Sequence, residues 1–318
     1  MSETGKQRSN GRGRDRGSLY QDVTDKIIAE LEAGRVPWVQ PWGKVKAGLG
    51  LPKNAATGRR YSGINILILW GAVIEKGFAA QHWLTFRQAL DLSGNVRKGE
   101  RGTTVFYADR FIPKAEIERA AKDGDEPEAV PFLKRFTVFN VAQCDGLERL
   151  QGEPEPLPAR EIVPQAEALV AATGADIRIG GDRAFYAPNG DYIQLPPQPA
   201  FFEQINFYRT CFHELSHWSG ASHRLNRDLS GRFGSKSYGR EELVAEMASA
   251  FLCASLAIVP TVRHADYLAA WLAILREDNR AIFRAASLAS KAADFILGFQ
   301  QEAASSVAST VQVMEASA

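Results

Sequence analysis

Residues 207–219 read FYRTCFHELSHWS and contain the run His213-Glu214-Leu215-Ser216-His217. Residues four apart on a helix share a face with Cβ atoms about 5–6 Å apart, so both imidazoles can reach one divalent ion. Glu214 stands beside them as the base that takes a proton from water. A divalent ion lowers the pKa of water from 15.7 towards about 7, so a carboxylate is basic enough for that task. The spacing therefore predicts a helix carrying a metal site, with Glu214 as its catalytic residue. Imidazole donors make Zn the first choice of divalent metal, with Mn or Co as alternatives.

A catalytic zinc site takes three protein ligands and leaves a fourth position open. His223 completes HELSHWSGASH, the HExxHxxGxxH pattern of metzincins, with Gly220 letting the helix end. That class also needs a methionine turn, and only Met247 in a helical run and Met314 near the end follow the motif. The competing donors are Glu242 and Glu246, four apart in REELVAEMASAFLCASLAI (residues 240–258). Ala245, Ala248, Ser249 and Ala250 are small and would let another helix pack closely around Glu246. The reading adopted is His213, His217 and Glu246 as ligands, with Glu242 orienting an imidazole from behind. Glu242 and His223 are the alternative third ligands. Tyr238 and Arg240 are candidates to stabilise an oxyanion.

Working outward, Asp176 to Ile179, Ala184 to Tyr186 and Tyr192 to Leu195 read as short strands, turned at Gly180-Gly181 and Asn189-Gly190. Either of the last two is a candidate edge strand that would hold an extended peptide beside the metal. The segment LQGEPEPLPAREIVP (residues 150–164) carries four prolines and marks a domain boundary. Before it, a helix starts near Tyr20 and closes at Gly34, and Ile66 to Ile74 is a buried helix or strand. Thr103 to Tyr107 and Phe136 to Val141 are strands around a charged insertion, Lys114 to Pro131. The fold class is α+β in two domains: a disordered basic arm at 1–17, a first domain at 18–150, a Pro-rich linker at 151–164, a second domain at 165–300 and a flexible tail at 301–318.

The 318 residues hold 38 Lys+Arg against 37 Asp+Glu, so net charge alone identifies no polyanion partner. The balance is a cancellation, with 24 basic against 18 acidic residues in 1–150 and 14 against 19 in the remainder. Between Arg35 and Arg101 lie 11 basic and three acidic residues, interleaved with Trp38, Trp42, Trp70 and Trp83. Exposed rings among cations suit a single strand, whose bases stack while phosphates are tracked. Trp70 sits in an apolar run and reads as core; Trp38 and Trp42, in VPWVQPWGK, read as an exposed platform. Lys44, Lys46, Lys53, Arg59, Arg60, Tyr61, Arg97, Lys98 and Arg101 complete the candidate single-stranded DNA contacts. No apolar run approaches the ~18 residues that span a bilayer, so no membrane association is expected. Cys144, Cys211 and Cys253 are widely spaced and odd in number, as for reduced thiols in a cytoplasmic protein.

Taken together, PWVQPW, LPKNAATGRRYSGINILILW, HWLTFRQAL, VRKGERGTTVFYADRF, RFTVFNVAQCDGL, GDYIQLP, HELSHWSG, RLNRDL and YGREELVAEMASAFL resemble the ArdC-type antirestriction proteins of conjugative plasmids, which are related to the N-terminal region of TraC-type primases. The resemblance runs from about Leu19 to Ala257. It implies an N-terminal domain that binds single-stranded DNA, a C-terminal zincin-like metallopeptidase domain with His213, Glu214, His217 and Glu246 at its metal site, and protection of incoming plasmid DNA during conjugation. A host protein such as the restriction machinery would be the peptide substrate. Two other functions fit the same residues: a DNA-coating protein with a structural metal, and a general cytoplasmic metallopeptidase whose basic half recognises acidic proteins.

Overall fold

The computed structural model describes residues 15–39, 50–112, 130–150, 163–259 (apart from 202, 204 and 233) and 267–316, together with 116 and 119. Most of the basic arm, the centre of the charged insertion, the Pro-rich linker and three candidate DNA contacts, Trp42, Lys44 and Lys46, lie outside the described residues.

The first helix, α1 (Asp15–Glu32), buries Ile27 and Leu31 one turn apart and ends before Gly34, whose φ of 72° no side-chain-bearing residue adopts easily. The apolar run INILILWGAVIEK forms α2 (Ile64–Lys76), closed by Gly77 in the left-handed conformation. Strands β1 (Lys53–Asn54) and β2 (His82–Leu84) precede α3 (Phe86–Asp91), which Thr85 and Gln88 start with a reciprocal capping box. Then come β3 (Asn95–Val96), β4 (Thr103–Phe111), β5 (Val130–Asn140) and β6 (Cys144–Asp145). The sheet order is β1-β2-β5-β4, parallel only between β1 and β2, while β3 and β6 pair separately. The β4–β5 ribbon is the longest pairing, from Thr103↔Val138 to Phe111↔Val130.

In the second half, α4 (Pro164–Ala172) opens with a proline, whose fixed φ and missing N–H suit a first helical turn. Strands β7 (Asp176–Ile179), β8 (Phe185–Ala187) and β9 (Tyr192–Leu195) form a sheet of order β7-β9-β8. Four helices follow: α5 (Asn206–Ser219), α6 (Lys236–Ser255), α7 (Leu268–Glu277) and α8 (Ala281–Ala316). From Leu243 to Ala254 every residue of α6 is buried, as expected of a helix surrounded by others rather than lying on a surface. Ala248 and Ala250 keep its neighbours close, and Ser249 donates its hydroxyl to the Arg209 carbonyl of α5 at 3.0 Å. Helix α8 continues to Ala316, through the segment expected to be a flexible tail. Beyond Gly298 that segment has neither Gly nor Pro to break a helix, and Ala, the most favourable helix former, is its commonest residue.

The larger hydrophobic core runs through both halves, and a smaller one around Leu84, Val96 and Leu147 lies in the first. Trp38 packs edge-on against Trp271 of α7 at 5.4 Å between ring centroids, and Trp70 of α2 against Phe251 of α6 at 5.6 Å. Tyr20 of α1 meets Phe283 of α8 at 4.7 Å, and the Gly63 amide donates to the Ser290 hydroxyl of α8 at 2.8 Å. Trp38 is wholly buried, which corrects its expected place on an exposed platform: Pro37 and Trp38 form a turn closed by Val39 N donating to Val36 O at 2.9 Å, and the ring enters the interior there. The three cysteines are free and buried, as expected of small core residues. Among the described residues no helix is long and apolar enough to cross a membrane.

Candidate metal centre

Helix α5 buries His213 and Glu214 and leaves His217 at the lip of a cleft. The two imidazoles, one turn apart, face each other with their Nε2 atoms 3.2 Å apart. Opposite them, α6 brings the Glu242 carboxylate to 3.4 Å from each Nε2, one oxygen to His213 and the other to His217. The donor atoms of His213, His217 and Glu242 all lie within 4.8 Å of one another. Two nitrogens and an oxygen converging on one point fit a divalent cation, and three protein donors leave a position open.

Glu246 lies elsewhere. Its carboxylate oxygen is 3.5 Å from Nδ1 of His213, behind the ring relative to the convergence point. The geometry sets Glu242, rather than the expected Glu246, against both facing nitrogens, while Glu246 stands on the far side of the His213 ring. Both glutamates share a face of α6, but one helical turn is 5.4 Å along the axis, and the crossing with α5 sets Glu242 level with the gap between the imidazoles. His217 has an equivalent support, Glu241, 3.2 Å from its Nδ1. Glu241 in turn accepts hydrogen bonds from Arg227 at 2.7 and 3.1 Å, and Arg227 also donates to the Ser216 carbonyl of α5 at 2.5 Å. Sequence reading missed this arm. Its only trace is the second acidic residue of the Glu241-Glu242 pair and an arginine in the RLNRDL segment.

His223 is excluded from this centre. Its side chain is 60% exposed and lies 3.3 Å from Asp191. The chain after α5 folds back through bonds from Arg227 N to Gly220 O at 2.8 Å and from Leu225 N to Ser219 O at 3.0 Å, so Arg227 rather than His223 returns to the helix. A Cβ at Gly220 would stand 2.9 Å from the Arg227 guanidinium, so this glycine serves the close approach of Arg227. It is not in the left-handed conformation, its φ being −79°.

Burial disfavours charge on His217, yet contacts with Glu241 and Glu242 raise its pKa to about 10. Burial likewise opposes ionisation of Glu242, but the two imidazoles hold its carboxyl well below the usual carboxylate range. Four carboxylates, Glu214, Glu241, Glu242 and Glu246, thus surround two imidazoles in a buried setting that favours positive charge. A divalent cation satisfies the same demand, and its affinity rises with pH because it needs neutral imidazoles.

Residues 164–288 match the family described as zincin-like metallopeptidase, and residues 17–139 match the N-terminal domain of the anti-restriction factor ArdC. Crystal structures of the antirestriction protein ArdC from plasmid R388, metal-free and Mn(II)-bound, superpose with TM-scores of 0.74 and 0.71 at 40% identity, covering 89% of this chain and 98% of theirs. The chain belongs to the ArdC family of antirestriction proteins. An uncharacterised protein of Sinorhizobium fredii is 42% identical over 90% of this chain and 93% of its own length. The DNA primase TraC of Escherichia coli is 39% identical over 89% of this chain, which spans only 27% of that primase.

In this ArdC-type chain the metal centre opens into a cleft of about 410 Å³ lined by residues 183–186, Tyr238 and Tyr267. Strand β8 (Phe185–Ala187) is the sheet edge beside it, whereas β9 (Tyr192–Leu195) is central, so the second candidate edge strand is ruled out. Tyr238 sits one turn before Glu242 on α6, with its hydroxyl 3.1 Å from that of Tyr267. Burial, Tyr267 and Glu242 all raise its pKa, keeping it a proton-bearing donor at the cleft. Arg240 is exposed and does not line the cleft.

Apart from the buried Trp38, the described candidate DNA contacts cluster at two places. Arg59 and Arg60 are exposed, with Lys53 and Tyr61 half-buried next to them. Arg97, Lys98 and Arg101 are exposed near β3, but Arg97 is held by Glu100 at 2.9 Å and Asp145 at 3.6 Å.

Proposed function

We propose that this ArdC-type protein protects incoming plasmid DNA by binding single-stranded DNA through its N-terminal region and hydrolysing a peptide bond in its C-terminal cleft. The observation that carries the hydrolytic reading is the open triad His213, His217 and Glu242, with Glu214 next to the first imidazole and alongside it the edge of β8, unpaired among the described residues. Structural zinc sites are closed by four protein ligands, so a three-residue set at the lip of a cleft favours catalysis over a purely structural metal. When bound, a divalent ion supplies Lewis acidity and activates water.

The chain's own residues have separate tasks in this reading. His213, His217 and Glu242 hold the ion. Glu241 fixes the His217 ring through Nδ1, and Glu246 stands 3.5 Å from Nδ1 of His213. Glu214 accepts the proton and passes it to the leaving amine. Tyr238 donates to the developing oxyanion, and the edge of β8 holds an extended peptide by main-chain hydrogen bonds.

Glu214→Gln tests the proposal, since it removes the base while leaving the donors. Metal and oligonucleotide binding by the purified variant should equal the parent's. Transfer of a conjugative plasmid into a restricting recipient should fall to the level without the protein. Full protection by Glu214→Gln would remove hydrolysis from the function and leave DNA coverage.

A further inference from the structure

Resting on the single-stranded DNA reading above, we propose that the strand lies in a groove between the β4–β5 ribbon, the turn at residues 54–62 and α8. Its bases stack on Tyr107 and Phe136, and Arg59 and Arg60 contact its phosphates. The groove has a volume of about 720 Å³. Side chains alternate across a strand, so Val105 and Tyr107 of β4 share one face with Phe136 and Val138 of β5. In the β4–β5 register Phe136 is opposite Val105 and diagonal to Tyr107, and their rings meet edge to face at 6.5 Å. Tyr107 is 51% and Phe136 44% exposed although the same face buries Val105 and Val138 beneath them. Two large rings displayed side by side above a core are a stacking platform, not leftover surface.

Both cations next to that platform are exposed, and Asp294 of α8 attracts Arg60 without an ion-pair contact. Among the described residues no carboxylate is within salt-bridge distance of Arg59 or Arg60, unlike Arg97. Their turn is fixed in place: the Asn54 side-chain oxygen accepts from the amides of Ala56 and Thr57, both at 3.0 Å, and Gly58 takes a φ of 70°. Exposed ring faces engage unpaired bases, whereas duplex bases are already stacked on each other. Phe283 and Ser287 of α8 complete the groove. The DNA site is therefore built from both halves of the chain, with one wall outside the residues matching the ArdC N-terminal domain.

The test is fluorescence anisotropy of the full-length protein with a labelled 15-nucleotide dT strand and with a duplex of equal length, over a range of salt. Tyr107→Ala and Phe136→Ala should each weaken dT binding on the order of 10-fold, leaving the salt slope unchanged, since each removes one stacked base. The Arg59→Ala/Arg60→Ala double variant should flatten the log–log salt slope by about 1.4, at about 0.7 per lost phosphate contact on a single strand. Ser287→Trp, an exposed substitution in the other half, should fill the groove and also weaken binding on the order of 10-fold or more. Thermal melts at the parental temperature would show that these surface variants fold. If the parent binds dT and all these variants bind within about two-fold of it, the location is wrong while the DNA reading stands. Loss confined to the arginine variant overturns the stacking platform, and equal affinity for the duplex overturns the single-strand occupant. A parent that binds neither oligonucleotide removes the DNA reading itself.

Discussion

Glu242 and Glu246 carry the same carboxylate one helical turn apart, and in the proposed centre that turn separates a metal donor from a carboxylate behind the His213 ring. Glu246→Gln should lower Mn(II) or Zn(II) affinity about 10- to 100-fold, the usual cost of losing an outer partner. Glu242→Gln should lower it further, and isothermal titration calorimetry ranks the two; the reverse order would restore Glu246 as the ligand. The sequence contained every donor, since HExxH and two glutamates at helical spacing are plain in it. Which glutamate faces the gap depends on the crossing of α5 and α6, a tertiary fact with no local signature. The pH dependence follows from the same residues. Glu241, with its pKa lowered from 4.5, stabilises the metal-free fold above that value and loses this effect as pH falls through the lower folded value. His217, raised from 6.5 to about 10, stabilises it fully below 6.5 and loses this effect as pH rises towards 10. Metal-free protein should thus melt at the highest temperature between about pH 4.5 and 6.5 and at falling temperatures towards pH 10. Bound metal should reverse the alkaline trend, as differential scanning fluorimetry with and without EDTA will show.

At the level of elements, the strands near the metal and the helices of both halves follow patterns that the sequence displays. β-Branched and aromatic runs marked β4 and β5, and the near-continuous apolar run marked α2. Pairing order was not legible: β9 is central and β8 the edge because β7 joins β9 in parallel, a non-local choice. Nor was the fate of Trp38, since prolines around a tryptophan indicate an irregular backbone and say nothing of burial. Its wholly buried ring against Trp271 gives a direct expectation. Trp38→Ala should cost about 3–5 kcal/mol of stability, as for other large-to-small changes at buried aromatic sites. Its single-stranded DNA affinity, measured where the variant is folded, should match the parent's. Urea denaturation checks the first part and anisotropy the second; unchanged stability with lost DNA binding would return Trp38 to an exposed platform.

Across the whole molecule, the basic and acidic halves and the proline-rich segment between them read as two domains, and two family models match on either side. Charge and proline content describe surface and linker, however, and the larger core of this chain spans both halves, beside a smaller one confined to the first. Helices α1 and α2 lie on α6, α7 and α8, with Trp38, Trp70 and Tyr20 each meeting a ring from the second half. An aromatic side chain buries about 150–250 Å², so re-exposing half of each ring surrenders on the order of 2–3 kcal/mol apiece at about 25 cal/mol per Å². Three such losses amount to much of the roughly 5–15 kcal/mol that holds a domain folded. A fragment ending at Leu150 should therefore lack a cooperative urea transition, and so should one starting at Val163, while the full chain unfolds in a single step by tryptophan fluorescence and far-UV circular dichroism. A cooperative transition in the 1–150 fragment, with an m-value in keeping with its size, would show that its own β-sheet and α2 suffice and that the contacts with α6 to α8 only dock two finished domains.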